Sequence, residues 1–321
     1  MPVYIEAILN RFHHPRPIKP ELAPHRYASR SFRAANAQAP IPDDDTARLD
    51  TYDVLRVQRV VGCILYNTCA INSPLLPSLT EIGSDQVKAT EETLAATKKI
   101  LDFVATFPDA VIRDFTSEMC LWIYSDTSFA SIRNARSRVG GFFYLSSHPS
   151  KIPKNIDRPL NGPIYVLCRM MKMVLLSAAE AEYGGLLINA KEGVPIRTTL
   201  QELGHKQPKT GTPLKTDNST AHGIVQNNVR QKKSRCFDMG YHWIRDRAKQ
   251  GHFDVYWKPG PNNIADYVTK HHPPAVHREM SPTYLTYHRT QHHYYEGLLI
   301  LGFQLPLNRE FQLLVNREFL D

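Results

Sequence analysis

The sequence contains no CxxC pair, and its five cysteines (Cys63, Cys69, Cys120, Cys168, Cys236) are odd in number. That pattern argues against a structural zinc site or a disulfide framework and for reduced thiols in an intracellular protein, cytoplasmic or nuclear. No apolar run approaches the roughly 18 residues that a membrane-spanning helix needs. The first residues, MPVYIEAILNRFHH, lack the basic start, long apolar stretch and small-residue cleavage site of a secretion signal. There is no aromatic-x-Asp-Asp turn of the kind that a polymerase palm requires. The one aspartate run, Asp43 to Asp45, follows a proline and reads as an exposed loop, so polymerase activity is not expected. What the chain does have is length for two cores, 321 residues, and a net charge of +8 with a pI near 9.2, which allows a polyanionic partner.

Periodicity divides the chain. Residues 1–14 carry Ile5, Ile8, Leu9 and Phe12 at helical spacing and then run into HHPRPIKPELAP, whose prolines exclude a helix interior. A polar loop, SRSFRAANAQAPIPDDD, follows. VLRVQRVVGCILYNTCAI and KATEETLAATKKILDFVATF are again amphipathic at three-to-four-residue spacing. Residues 1–110 therefore read as a small helical module. After Asp109 the texture changes to β-prone runs at 119–126, 138–147 and 163–169. Helical stretches at 177–191 and 195–204 come next, then a short strand at 213–217, helices at 219–227 and 237–250, a strand at 252–259, and a helix from about Asn262. Three strands followed by alternating helices and strands predict an α/β fold, one mixed sheet flanked by helices, over 119–275. Residues 276–321, rich in His and Tyr and ending in a short NREF repeat, stay unassigned.

Four acidic positions stand out. Asp126 ends the first strand, in WIYSDTS; Asp217 ends a later one, in LKTDNSTA; Asp266 lies in NNIADYVTK. The fourth is in LLSAAEAEYGG, where Glu180 and Glu182 are two apart, so at most one faces a given site on a helix. Polar groups at the carboxyl ends of strands line the crevice of such sheets. Carboxylates brought together there repel one another unless a cation neutralises them, and hard oxygen ligands suit magnesium or manganese. On spacing alone, Asp217 also fits a helix N-cap and Asp266 a solvated helix face.

In this order the motifs resemble the RNase H domain of copia-type retrotransposon polyproteins. They are YSDTS, ARSRVGGFFYL, LLSAAEAEYGGL, PLKTDNSTA, RQKKSRCFDMGYHWIRD and NNIADYVTK, and they run from Tyr124 to Lys270. Upstream, MPVYIEAILNRFHHPRP, VQRVVGCILYNTCAI and ATKKILDFVATFPDAVIR resemble the stretch that joins reverse transcriptase to RNase H. The resemblance implies an RNase H-like mixed five-stranded sheet, preceded by a reverse-transcriptase thumb- or connection-like remnant. It implies Asp126, Glu182, Asp217 and Asp266 as the catalytic, metal-binding set for two Mg2+ (or Mn2+) ions. Glu182 is chosen over Glu180 because Gly185, three residues on, is the small residue that lets such a helix approach the sheet. The implied activity is hydrolysis of the RNA strand of RNA–DNA hybrids; the alternative is an inert remnant or a nucleic-acid-binding module. The implied partners are the hybrid and the reverse-transcriptase part of a parent polyprotein, with no membrane.

Arg230, Lys232, Lys233 and Arg235 add a basic cluster suited to phosphate contacts that position a duplex without reading its sequence. The same residues also fit a solvated loop. Trp243 and Trp257 read as core rather than base-stacking positions. His252 has no assigned role, and the pairs His271–His272 and His292–His293 lack metal-ligand spacing.

Overall fold

A computed structural model describes residues 1–27, 44–151, 161–172, 175–226, 238–260 and 263–286. Five strands form one sheet: β1 Cys120–Ile132, β2 Arg136–Ser146, β3 Pro163–Met170, β4 Thr212–Thr216 and β5 Phe253–Trp257. Their order is β3-β2-β1-β4-β5. β1 pairs antiparallel with β2, and β2 with β3, while β1–β4 and β4–β5 are parallel. The sheet is thus mixed and five-stranded, as the resemblance implied, with a long hairpin on one side and two crossover strands on the other.

Successive side chains of a strand point to opposite faces, and β1 and β2 use this fully. Leu121 and Ile123, with Val139 and Phe143, join the core under a helical layer. Trp122 stacks with Tyr144 on the other face, and Phe142 meets Tyr284 there. The first layer is α5 Ala178–Glu202, α6 Ser219–Val225 and α7 Asp238–Lys249. Leu186 and Ala190 of α5, Ile224 of α6 and Ile244 of α7 complete its core. The two helices expected at 177–191 and 195–204 are one, because Pro195 lies inside α5 on its exposed side. There the carbonyl that loses its N–H partner faces solvent, which lets the helix continue.

The opposite face carries a 3-10 helix, Ile264–Val268, and α8 Pro274–Tyr284. Here the expected last helix from Asn262 is a tight turn, and the first part of the unassigned tail is helical. Adjacent glycines let both layers approach β2. A Cβ at Gly140 would fall 2.6 Å from Thr269 Cγ2, beside the 3-10 helix, and one at Gly141 would fall 1.9 Å from Asn189 Oδ1 of α5.

The N-terminal helices are α1 Pro2–Arg11, α2 Thr51–Ala70, α3 Leu76–Asp85 and α4 Glu91–Thr106. Asp50 caps α2 by accepting from Asp53 N, and Thr90 with Thr93 forms a capping box on α4. Ile5, Ile8, Val57, Ile64, Ile100 and Val104 bury the apolar faces that the periodicity marked. Asp44, expected in an exposed loop, instead accepts from Thr46 and Thr90, next to the start of α4. This layer is joined to the sheet by polar contacts. Arg138 of β2, 1% exposed, pairs with Glu81 of α3, and the ring of His25 bonds to the backbone of His272. Residues 1–286 form one compact unit.

Candidate metal centre

β1 brings Asp126 to the parallel side of the sheet, where Ser125 and Thr127 flank it on the opposite face. Asp126 is 4% exposed. Its Oδ2 accepts from Thr269 Oγ1 at 2.7 Å, across the 3-10 layer.

α5 supplies the second carboxylate. Ser177 is its N-cap, accepting from Glu180 N, and Glu180 in turn accepts from Leu176 N at 2.9 Å. Glu180 therefore serves the helix start. Glu182, two positions later, points inward: it is 7% exposed, and its Oε1 accepts from Thr127 N at 3.3 Å. Its Oε2 is buried with no hydrogen-bond partner among the described residues. One turn on, Gly185 sits so close to β1 that a Cβ would lie 2.1 Å from Thr127 Oγ1. That approach is what brings Glu182 to the strand.

Asp217 follows the last residue of β4. The residue that caps α6 is Asn218, whose Oδ1 accepts from Ala221 N at 2.9 Å, so Asp217 is left for other work. The chain after β5 folds over Asp217. Trp257 Nε1 donates to its carbonyl at 2.9 Å, and Gly260 leaves only 3.0 Å between its Cβ position and Asp217 Oδ2.

Carboxylate oxygens of Asp126, Glu182 and Asp217 all lie within 4.8 Å of one another. Burial and the neighbouring Asp266 push the Asp126 pKa up to about 7. Burial, then Asp126 and Asp217, push Glu182 well above the usual carboxylate range. Asp217 is also raised, by burial and then by Asp266, against hydrogen bonds that hold it down. A cation among these oxygens removes the repulsion and satisfies Glu182 Oε2, so the residues present fit a hard divalent ion.

Asp266 lies outside that group of three. It sits in the 3-10 helix, where its carboxylate pairs with Lys270 and is 35% exposed. It borders the cluster rather than lining it. Sequence reading missed two neighbours of Asp266, each three residues away: Asn263 and Thr269. Asn263 Nδ2 donates to Ser125 O at 2.9 Å and its side chain also bonds Asp217. In a 3-10 helix, residues three apart eclipse. That spacing was the available signal, hidden by the expectation of an α-helix.

The remaining candidates fall elsewhere. Arg230, Lys232, Lys233 and Arg235 lie outside the described residues, as do His292 and His293. Trp243 packs against the core beside Arg247 and Lys191. Trp257, expected in the core, is 44% exposed, because it ends an edge strand whose burial alternates. His271 and His272 gather with His25 and His277; His25 and His271 stack at 4.2 Å. Among the described residues the one group able to hold a metal is the carboxylate trio. The described cysteines Cys63, Cys69, Cys120 and Cys168 are free thiols. No helix among the described residues is long and apolar enough to cross a membrane.

No protein-family model matches the chain. It is 24% identical over 270 residues, 83% of its length, to the retrovirus-related Pol polyprotein from transposon TNT 1-94 of Nicotiana tabacum, and spans 18% of that protein. It is 27% identical over 183 residues, 56% of its length, to the corresponding polyprotein of transposon RE1 of Arabidopsis thaliana, and spans 12% of it. The chain thus covers less than a fifth of the curated relatives it matches. Among solved structures, the N-terminal RNase H domain of a Mycobacterium tuberculosis protein aligns at 14% identity and TM-score 0.32, over 51% of this chain and 98% of that one. LC11-RNase H1, solved with an RNA/DNA hybrid, aligns at 14% identity and TM-score 0.32, over 46% of this chain and 93% of that one. The chain is similar to the retrovirus-related Pol polyproteins of plant transposons, and its sheet is mixed and five-stranded with a buried acidic trio beside it.

Proposed function

We propose that the chain is a metal-dependent ribonuclease of the RNase H type that hydrolyses the RNA strand of RNA–DNA hybrids. The observation that carries this reading is the convergence of Asp126, Glu182 and Asp217, from three separate elements, with oxygens within 4.8 Å. Asp126, Glu182 and Asp217 are the residues that would hold divalent ions, Mg2+ or Mn2+, with Asp266 at the edge of the site. Two such ions would supply the positive charge that activates water and stabilises the leaving oxygen at phosphorus.

The chain's own residues do the rest. Burial of Asp126 and Glu182 keeps bulk water from screening the carboxylates. Thr127 N fixes one oxygen of Glu182 and leaves the other for an ion. The turn after β5 holds Asp217 through Trp257 and Asn263. Within the proposal, residues 1–110 correspond to the connection upstream of RNase H, and the basic cluster Arg230, Lys232, Lys233 and Arg235 contacts phosphates without base specificity.

The test is hydrolysis of a labelled hybrid by purified protein with Mg2+ or Mn2+. Cleavage confined to the RNA strand, abolished by EDTA and by Asp217→Asn, supports the reading. A folded sample that binds the hybrid and leaves both strands intact sinks it in favour of a binding module.

A further inference from the structure

We propose that Thr269 is a positioning residue that sets the orientation of the Asp126 carboxylate for metal binding; this rests on the reading of the carboxylates as a metal centre. Thr269 is fully buried, and every part of it is engaged. Its Oγ1 lies 2.7 Å from Asp126 Oδ2 and 2.9 Å from Asp266 O. A hydroxyl has one hydrogen, and with Asp126 ionised that hydrogen goes to the closer, charged acceptor. Its carbonyl accepts from Ser128 Oγ at 2.7 Å, which ties the 3-10 helix to β1 two residues beyond Asp126. Its methyl occupies the space over Gly140, where a Cβ would fall 2.6 Å from Thr269 Cγ2.

Threonine is stiff at χ1. With the methyl seated on Gly140, the hydroxyl is left aimed at Asp126. The contact holds Oδ2 from the 3-10 face and so fixes the rotation of the carboxylate beside Glu182 and Asp217. Methyl and hydroxyl have separable duties, which makes the idea testable by substitution. Serine keeps the donor and loses the wedge; valine keeps the wedge and loses the donor.

The measurement is Mn2+ binding by isothermal titration calorimetry, with metal-free melting curves as the control for folding. Thr269→Val is expected to weaken Mn2+ binding about 10- to 100-fold, the usual cost of losing a group that orients a ligand. Thr269→Ser is expected to recover most of that loss. Thr269→Val that folds and binds Mn2+ as tightly as the unsubstituted protein overturns the proposal and leaves the metal centre standing. If Thr269→Val fails to fold, Thr269→Ala carries the same comparison, because it places no methyl against the carboxylate. An unsubstituted protein that binds no Mn2+ overturns the metal reading and the role of Thr269 with it.

Discussion

Gly185 and Thr127 touch without a side chain between them: a Cβ on the glycine would sit 2.1 Å from the threonine Oγ1. Gly185→Ala therefore forces α5 away from β1 at the turn that carries Glu182. The expected loss is about 1–3 kcal/mol, the range for overpacking a close-packed interior. Gly62→Ala is the control. Gly62 is exposed in α2 with nothing within 4 Å of its Cβ position, and alanine there is expected to stabilise by up to about 1 kcal/mol. Urea denaturation of the two variants reads both signs, and equal effects would refute the close-approach account of Gly185.

Asp217 and Asn218 divide two tasks: Asn218 caps α6 and Asp217 joins the carboxylate trio. Asn218→Ala removes the cap on α6 and is expected to cost about 1 kcal/mol of stability, with Mn2+ affinity retained. Asp217→Asn is expected to abolish hybrid cleavage and weaken Mn2+ binding while leaving the metal-free protein at least as stable, because it removes a charge from a crowded site. Calorimetry and melting curves on both variants separate the roles. A loss of stability in Asp217→Asn matching that of Asn218→Ala would return Asp217 to the helix end.

The carboxylates set a pH dependence in EDTA. Asp126 has its pKa raised from 3.8 to about 7 in the folded chain. A raised carboxylate contributes its stability in full below the unfolded value and loses it as pH rises through the folded one. In EDTA this contribution is expected to be lost between about pH 4 and pH 7, and to show as a difference between the pH profiles of the unsubstituted protein and Asp126→Asn. Saturating Mn2+ should abolish that loss, since the ion replaces the proton. Identical pH profiles for the unsubstituted protein and Asp126→Asn over this window in EDTA would count against the charge crowding.

His25 and His277 act in the opposite direction. Burial, then His271, pushes the His25 pKa from 6.5 down to about 3; burial, then His25, does the same to His277. Between those values the unfolded chain takes up protons that the folded chain refuses, so stability is lost as pH falls below about 6.5. Replacing His277 with Gln should shrink this acid loss while the opposing contribution of Asp126 persists. Melting from about pH 4 to pH 7 checks it, and an unchanged acid slope in His277→Gln would dismiss the buried-histidine account.

Much of this was legible in the sequence. The β-prone runs at 119–126 and 138–147 marked β1 and β2, because both faces of these strands are buried and nearly every position is apolar or small. Gly185 singled out Glu182 from Glu180 because a helix close to a strand has room only for hydrogen there. What stayed hidden depended on tertiary context. Pro195 broke the helical pattern in the text but not in the fold, since it faces out. Trp257 looked like core because strand position alone does not reveal which strand is an edge. Thr269 and Asn263 were passed over because their relation to Asp266 appears at a period of three, which a reader expecting 3.6 does not weigh.

The partners of His25 and Asp126 also carry a consequence for how the molecule comes into being. His25 bonds to residue 272 and Asp126 to Thr269, separations of 247 and 143 residues. Contacts so distant in sequence form late, after the intervening loop entropy has been overcome. On a ribosome, the tie from His25 must wait for nearly the last described residues, and Asp126 cannot be held by Thr269 earlier. The hairpin β1–β2 and helices α2–α4, by contrast, are built from local contacts and can form as they emerge. Assembly of the acidic centre is therefore a closing event in the biogenesis of residues 1–286, and translation that stops before Thr269 yields a chain with three acidic groups in place in the sequence and one of them, Asp126, unanchored.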